Sequence, residues 1–141
     1  MIEYERDISI ENEVSEIAKT LSMGHLDMSR VVCMRSYGSK SRRVLARCHT
    51  MPRILQKALG TGAYYIIEVV SENFEKLSDE DKTLTLVHEL MHIPESFGGG
   101  FRHHGNYVSR KNVESMYKEL TRRRQPAEGT RSLLGRLRPT Q

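Results

Sequence analysis

The chain has 141 residues, 38% of them hydrophobic and none of them Trp, which limits it to one modest core with at most a tail. No run approaches the 18 apolar residues that a membrane-crossing helix needs, so a membrane partner is not expected. The first residues are charged and acidic, unlike a leader peptide; the expected location is cytoplasmic, with both cysteines as reduced thiols. The formal net charge of +4 is uneven, because residues 110–141 hold nine Lys or Arg against three Glu.

Residues 10–28 carry Val14, Ile17, Ala18 and Leu21 at helical spacing, with Gly24 as the expected stop. Residues 30–37 and 44–49 read as strands joined by the polar connection 38–43. Folded as a hairpin, they set Cys33 opposite Cys48, as two small hydrophobes rather than a redox or metal pair, since there is no C-x-x-C spacing. Gly38-Ser39-Lys40-Ser41 lacks the first glycine and spacer of a phosphate-binding loop, and reads as a basic hairpin tip. Residues 51–59 form a short helix, with Pro52 in its first turn and Gly60 at its stop. Residues 63–70, β-branched and aromatic, make the clearest strand; it either borders a cleft or lies in the core.

A helix then starts at Ser78, with acidic Asp79, Glu80 and Asp81 in its first turn, and stops at Pro94. It contains His88-Glu89-Leu90-Met91-His92. Residues four apart share a helix face, so His88 and His92 can aim at one metal ion, with Glu89 flanking it. Two neutral imidazoles suit Zn²⁺, and the adjacent carboxylate suits the proton of a water activated by it. Leu84, Val87, Leu90 and Met91 give the helix a buried stripe.

A catalytic zinc takes a third protein ligand. Gly98-Gly99-Gly100 opens a loop that returns His103 and His104 towards the helix, and one of the two is favoured; Glu114 or Glu119 is the alternative. Residues 108–124 form a last helix through Val113, Met116, Tyr117 and Leu120, followed by a basic, flexible tail at 125–141. The expected organisation is a domain at 1–124 plus that tail. The tail reads first as solvated, and second as a weak contact for nucleic acid.

His88-Glu-Leu-Met-His-Ile-Pro94 followed by Phe97-Gly-Gly-Gly-Phe-Arg-His-His-Gly105 resembles a phage and archaeal metallopeptidase family. Residues 35–42 and 51–59 look like that family too. The second half of the motif is similar to SprT-type zincins, which implies His104, followed by Gly105, as the third ligand rather than His103. The resemblance implies an α+β, minimal zincin-like fold, with a small mixed or antiparallel sheet packed on helices that include the motif helix. It also implies one zinc per chain and peptide-bond hydrolysis on a peptide or protein substrate. In that reading Glu89 is the general base, with Arg102 and Tyr107 as the nearest oxyanion donors in sequence and His103 a further one. The alternatives are a DNA-associated zincin acting on DNA-bound proteins and a non-catalytic zinc module.

Overall fold

The computed structural model describes residues 1–125. In chain order the elements are β1 (Glu3–Arg6), α1 (Ile8–Thr20), β2 (Val31–Tyr37), β3 (Ala46–His49), α2 (Arg53–Leu59), β4 (Tyr65–Val70), α3 (Ser71–Phe74), α4 (Asp79–Met91) and α5 (Arg110–Arg124). The fold is α+β, with one mixed four-stranded sheet in the order β1-β2-β4-β3. No helix among the described residues is long and apolar enough to cross a membrane. The tail expected over 125–141 lies, except for Gln125, outside the described residues.

The first helix begins and ends earlier than its apolar spacing suggests. Asp7 caps it, accepting from the Ile10 N–H at 2.9 Å. It ends at Thr20 because Ser22 takes a left-handed φ of 56°. The Ser22 and Met23 N–H groups then bond back to Lys19 and Ala18, a glycine-type stop made by a serine. The final helix starts at Arg110, two residues later than expected, because Ser109 is its cap and accepts from the Asn112 N–H. β1 is four exposed residues, too short for the single Ile2/Tyr4 alternation to announce it, and it pairs antiparallel along β2.

β2 and β3 do not form the expected hairpin. β4 inserts between them, parallel to β2 and antiparallel to β3. Tyr65, Ile67, Val69 and Val70 are fully buried, as a strand with neighbours on both edges requires, whereas β3 carries Arg47 and His49. The last helices cannot reach β4's edge, so the open strand beside α4 is β3, not the 63–70 strand. Cys33 and Cys48 both pair with Ile67, one on each side, and are separated by β4 instead of facing each other.

α1 and α4 pack against the sheet, and α5 packs on those two helices. Ile10, Val14 and Ile17 of α1 and Leu86, Val87 and Leu90 of α4 pack with Val31, Cys33, Tyr65, Ile67 and Val69 in a single core. Ser78 caps α4, accepting from the Asp81 N–H at 3.1 Å, as its sequence suggests.

Candidate metal centre

α4 presents His88 from its last turn and His92 from its C-cap. The chain then turns through the glycine loop and brings His104 to the same point. The Nε2 atoms of His88 and His104 are 2.9 Å apart, and those of His92 and His88 are 3.2 Å apart. The three donors lie within 4.8 Å of one another. Four ligands around zinc, each at about 2.1 Å, stand roughly 3.4 Å apart, and the two pairs that share His88 lie close to that spacing. Three imidazole donors suit zinc and its first-row neighbours.

Local bonds set the donor atoms. His92 is buried, and its Nδ1–H donates to the Arg102 carbonyl, which leaves the Nε2 lone pair for a metal. Arg102 returns its N–H to the His92 carbonyl at 2.7 Å. Burial, followed by the neighbouring His92 and His104, pushes His88 down to about 4, and burial also lowers His92. Both rings are therefore neutral near pH 7, the form that ligates metal. Glu89 is 4% exposed, and burial pushes its carboxyl up to about 7. Its Oε2 stands 3.5 Å from His88 Nδ1. A carboxyl held near neutrality beside a triad of imidazoles can accept and return a proton at working pH.

His103 does not join the cluster. It sits edge-on to Phe101, and Phe101 stacks on His92 with centroids 4.4 Å apart. Neither glutamate of the last helix joins it. Glu119 is bonded to Arg122 and Arg123, which hold its carboxyl down to about 2. Glu114 lies 3.9 Å from Arg110 and lines a cleft of about 380 Å³ beside the triad. Leu84, Thr85 and Val113 line it too, with His88 and His104 in its wall. Arg102 and Tyr107 are engaged with each other, the guanidinium 4.1 Å from the ring centroid.

Two positioning residues escaped the sequence reading. Tyr65 is buried on β4, and its hydroxyl accepts from the Gly99 N–H (2.9 Å) and donates to the Gly100 carbonyl (2.8 Å), anchoring the glycine loop. A buried Tyr needs a partner for its hydroxyl, and that was the available signal. Asn112 donates to the Asn106 and Tyr107 carbonyls at 2.8 Å each, clamping the turn after His104 to α5. Nothing in sequence marks it.

An α+β domain whose helix and return loop bring three imidazoles and a buried glutamate together is built like a metal-dependent hydrolase. The family model described as "Putative phage metallopeptidase" matches residues 2–130, and the chain belongs to that family. No curated protein and no solved structure gives a significant match.

Proposed function

We propose that this chain is a zinc-dependent metallopeptidase, with His88, His92 and His104 holding the metal and Glu89 acting as general base. The observation that carries the reading is the meeting of three Nε2 atoms beside a buried carboxyl on the same helix. Its family membership supports the same chemistry. Bound by these imidazoles, zinc would supply a Lewis acid for a peptide carbonyl and for water. Glu89 would take the proton of the attacking water at a carboxylate oxygen and deliver it to the leaving amine. The Arg102 carbonyl keeps His92 in the required tautomer, and the Tyr65 hydroxyl keeps the return loop in place. Three protein donors, rather than four, are the number expected of a catalytic rather than a structural zinc site.

The test is metal analysis of protein purified without chelator, paired with casein hydrolysis. Wild type should carry about one zinc and cut casein. Glu89→Gln should keep the metal and lose hydrolysis, while His88→Ala should lose both. Wild type with no metal, or a fully active Glu89→Gln, overturns the reading.

A further inference from the structure

Residues 28–67 include eight Lys or Arg and no Asp or Glu. Three of the eight are paired: Arg30 with Asp27, Arg35 with Asp7 and Glu75, and Arg47 with Glu68. The other five, Lys40, Arg42, Arg43, Arg53 and Lys57, are exposed and have no carboxylate within 4.0 Å among the described residues. Lys40, Arg42 and Arg43 come just before β3, and Arg53 and Lys57 follow it on α2.

β3 is one of the two edge strands, with β1 at the far side of the sheet. β4 pairs one side of it, and no strand among the described residues pairs the other. It packs beside α4, the helix that carries His88, Glu89 and His92. α2 buries none of its residues: Ile54 is 80% exposed, Leu59 65% and Leu55 44%. It is nonetheless held in place, because Gln56 Nε2 donates to the Met51 carbonyl (2.8 Å) and to the Gly98 carbonyl (3.0 Å). Gly98 belongs to the loop that delivers His104. An open strand edge, cations at both of its ends and an uncovered aliphatic helix thus sit next to the metal centre.

We propose that β3 and α2 form a platform for the substrate chain, and that this substrate is an acidic segment interspersed with aliphatic residues. An extended peptide can add to the free edge of β3 through its backbone. Its carboxylates then meet the cations flanking the strand, and its aliphatic side chains cover Ile54, Leu55 and Leu59. A nucleic acid fits less well, because single-stranded binding relies on aromatic stacking and the uncovered side chains of α2 are aliphatic. The proposal rests on the peptidase reading and adds the chemistry of the substrate to it.

The binding arm uses zinc-loaded Glu89→Gln protein and fluorescence anisotropy. The probes are a labelled peptide of alternating Glu and Leu, the same peptide with Lys for Glu, and a labelled DNA strand. The acidic peptide should bind at least about tenfold more tightly than the basic one and weaken with salt. The triple change Arg42→Glu, Arg43→Glu, Arg53→Glu should abolish that preference, and Leu59→Asp should weaken binding, with melting temperature and zinc content unchanged in both. The cleavage arm maps cuts by active protein in a mixed peptide library, and Asp or Glu should be enriched around the cuts. Equal binding of the two peptides, or a triple variant that binds as wild type does, overturns the platform. DNA binding that exceeds peptide binding and is lost in the triple variant also overturns it, and assigns the surface to nucleic acid. Preferred binding without any cleavage keeps the platform and overturns the peptidase reading; cleavage with no acidic preference does the reverse.

Discussion

His92 and Arg102 are bonded to each other in both directions: the His92 imidazole donates to the Arg102 carbonyl, and the Arg102 N–H donates to the His92 carbonyl. One residue therefore sets the tautomer of a helix imidazole and pins the return loop two positions before His104. The third imidazole is placed by the second.

That coupling makes the candidate metal site and the loop one thermodynamic unit. Free zinc at about a thousand times its dissociation constant should stabilise the domain by roughly 4 kcal/mol, read as a rise in melting temperature. His92→Ala and His104→Ala should abolish the rise, and His103→Ala should keep it. A rise lost in His103→Ala and retained in His104→Ala would reassign the third ligand.

Tyr65→Phe removes one hydroxyl and strands two backbone groups of the glycine loop. Gly99 is half-buried and Gly100 exposed, so water can take over part of this bonding and the loss should be about 0.5–1.5 kcal/mol. Because the loop carries His104, zinc affinity should also fall, by about 10- to 100-fold as for other groups that orient ligands. Chelator competition and thermal melts measure the two effects separately. Unchanged affinity would mean that the loop holds His104 without this anchor.

Gly99 has a φ of +102°, and a Cβ there would lie 2.3 Å from the Met51 carbonyl oxygen. Gly99→Ala should therefore displace the loop from α2 and lose zinc, whereas Gly105→Ala, with no atom within 4 Å of its Cβ, should keep it. The comparison is read by zinc titration of the two proteins.

Glu68 lies buried on β4 and receives bonds from Arg47 and His49 at 3.0 and 2.7 Å. Burial pushes its carboxyl up, but hydrogen bonds from Ser36 and His49 and the charge of Arg47 outweigh it, so it sits below the ordinary glutamate range. A lowered acid contributes stability above its unfolded value and loses it as pH falls through the folded one. Wild type should therefore lose stability below about pH 4.5, and Glu68→Gln should be weaker at pH 7 with a flatter acid limb. Parallel acid limbs in urea titrations would exclude this contribution.

Cys33 and Cys48 flank Ile67 on opposite sides of β4, so their Cα atoms are about 9.5 Å apart, two strand spacings, beyond disulfide reach. Burial pushes both thiols up to about 12, with Glu11 adding to it at Cys33 and Glu89 at Cys48. Native protein should react slowly with a disulfide reagent, and both thiols should appear in denaturant even after mild oxidation. Loss of the two thiols on oxidation would contradict the strand order.

The motif helix was legible in sequence because everything that forms it is local. Ser78 reaches Asp81, the acidic turn and Pro94 mark its ends, and His88 and His92 share a face by helical period alone. The long strand at 63–70 and the glycine loop were legible for similar reasons of residue type. The strand order was not. Whether 30–37 pairs with 44–49 or with 65–70 depends on contacts far apart in the chain, and the loop between the first two looks like a hairpin turn either way.

The candidate site divides along the same line. Sequence by itself determined the two helical imidazoles and Glu89, because a fixed rise and turn place them without help from the rest of the chain. Spacing left His103, His104 and two glutamates open, since a glycine loop has no period, and only the family resemblance pointed to His104. Tertiary structure brings only His104 of these to the helical imidazoles: Phe101 stacks on His92 and takes up His103, while Tyr65, Asn112 and the Arg102 backbone hold the loop that carries His104. Those partners come from β4, α5 and the loop itself, and only burial of the shared core brings them within hydrogen-bond distance.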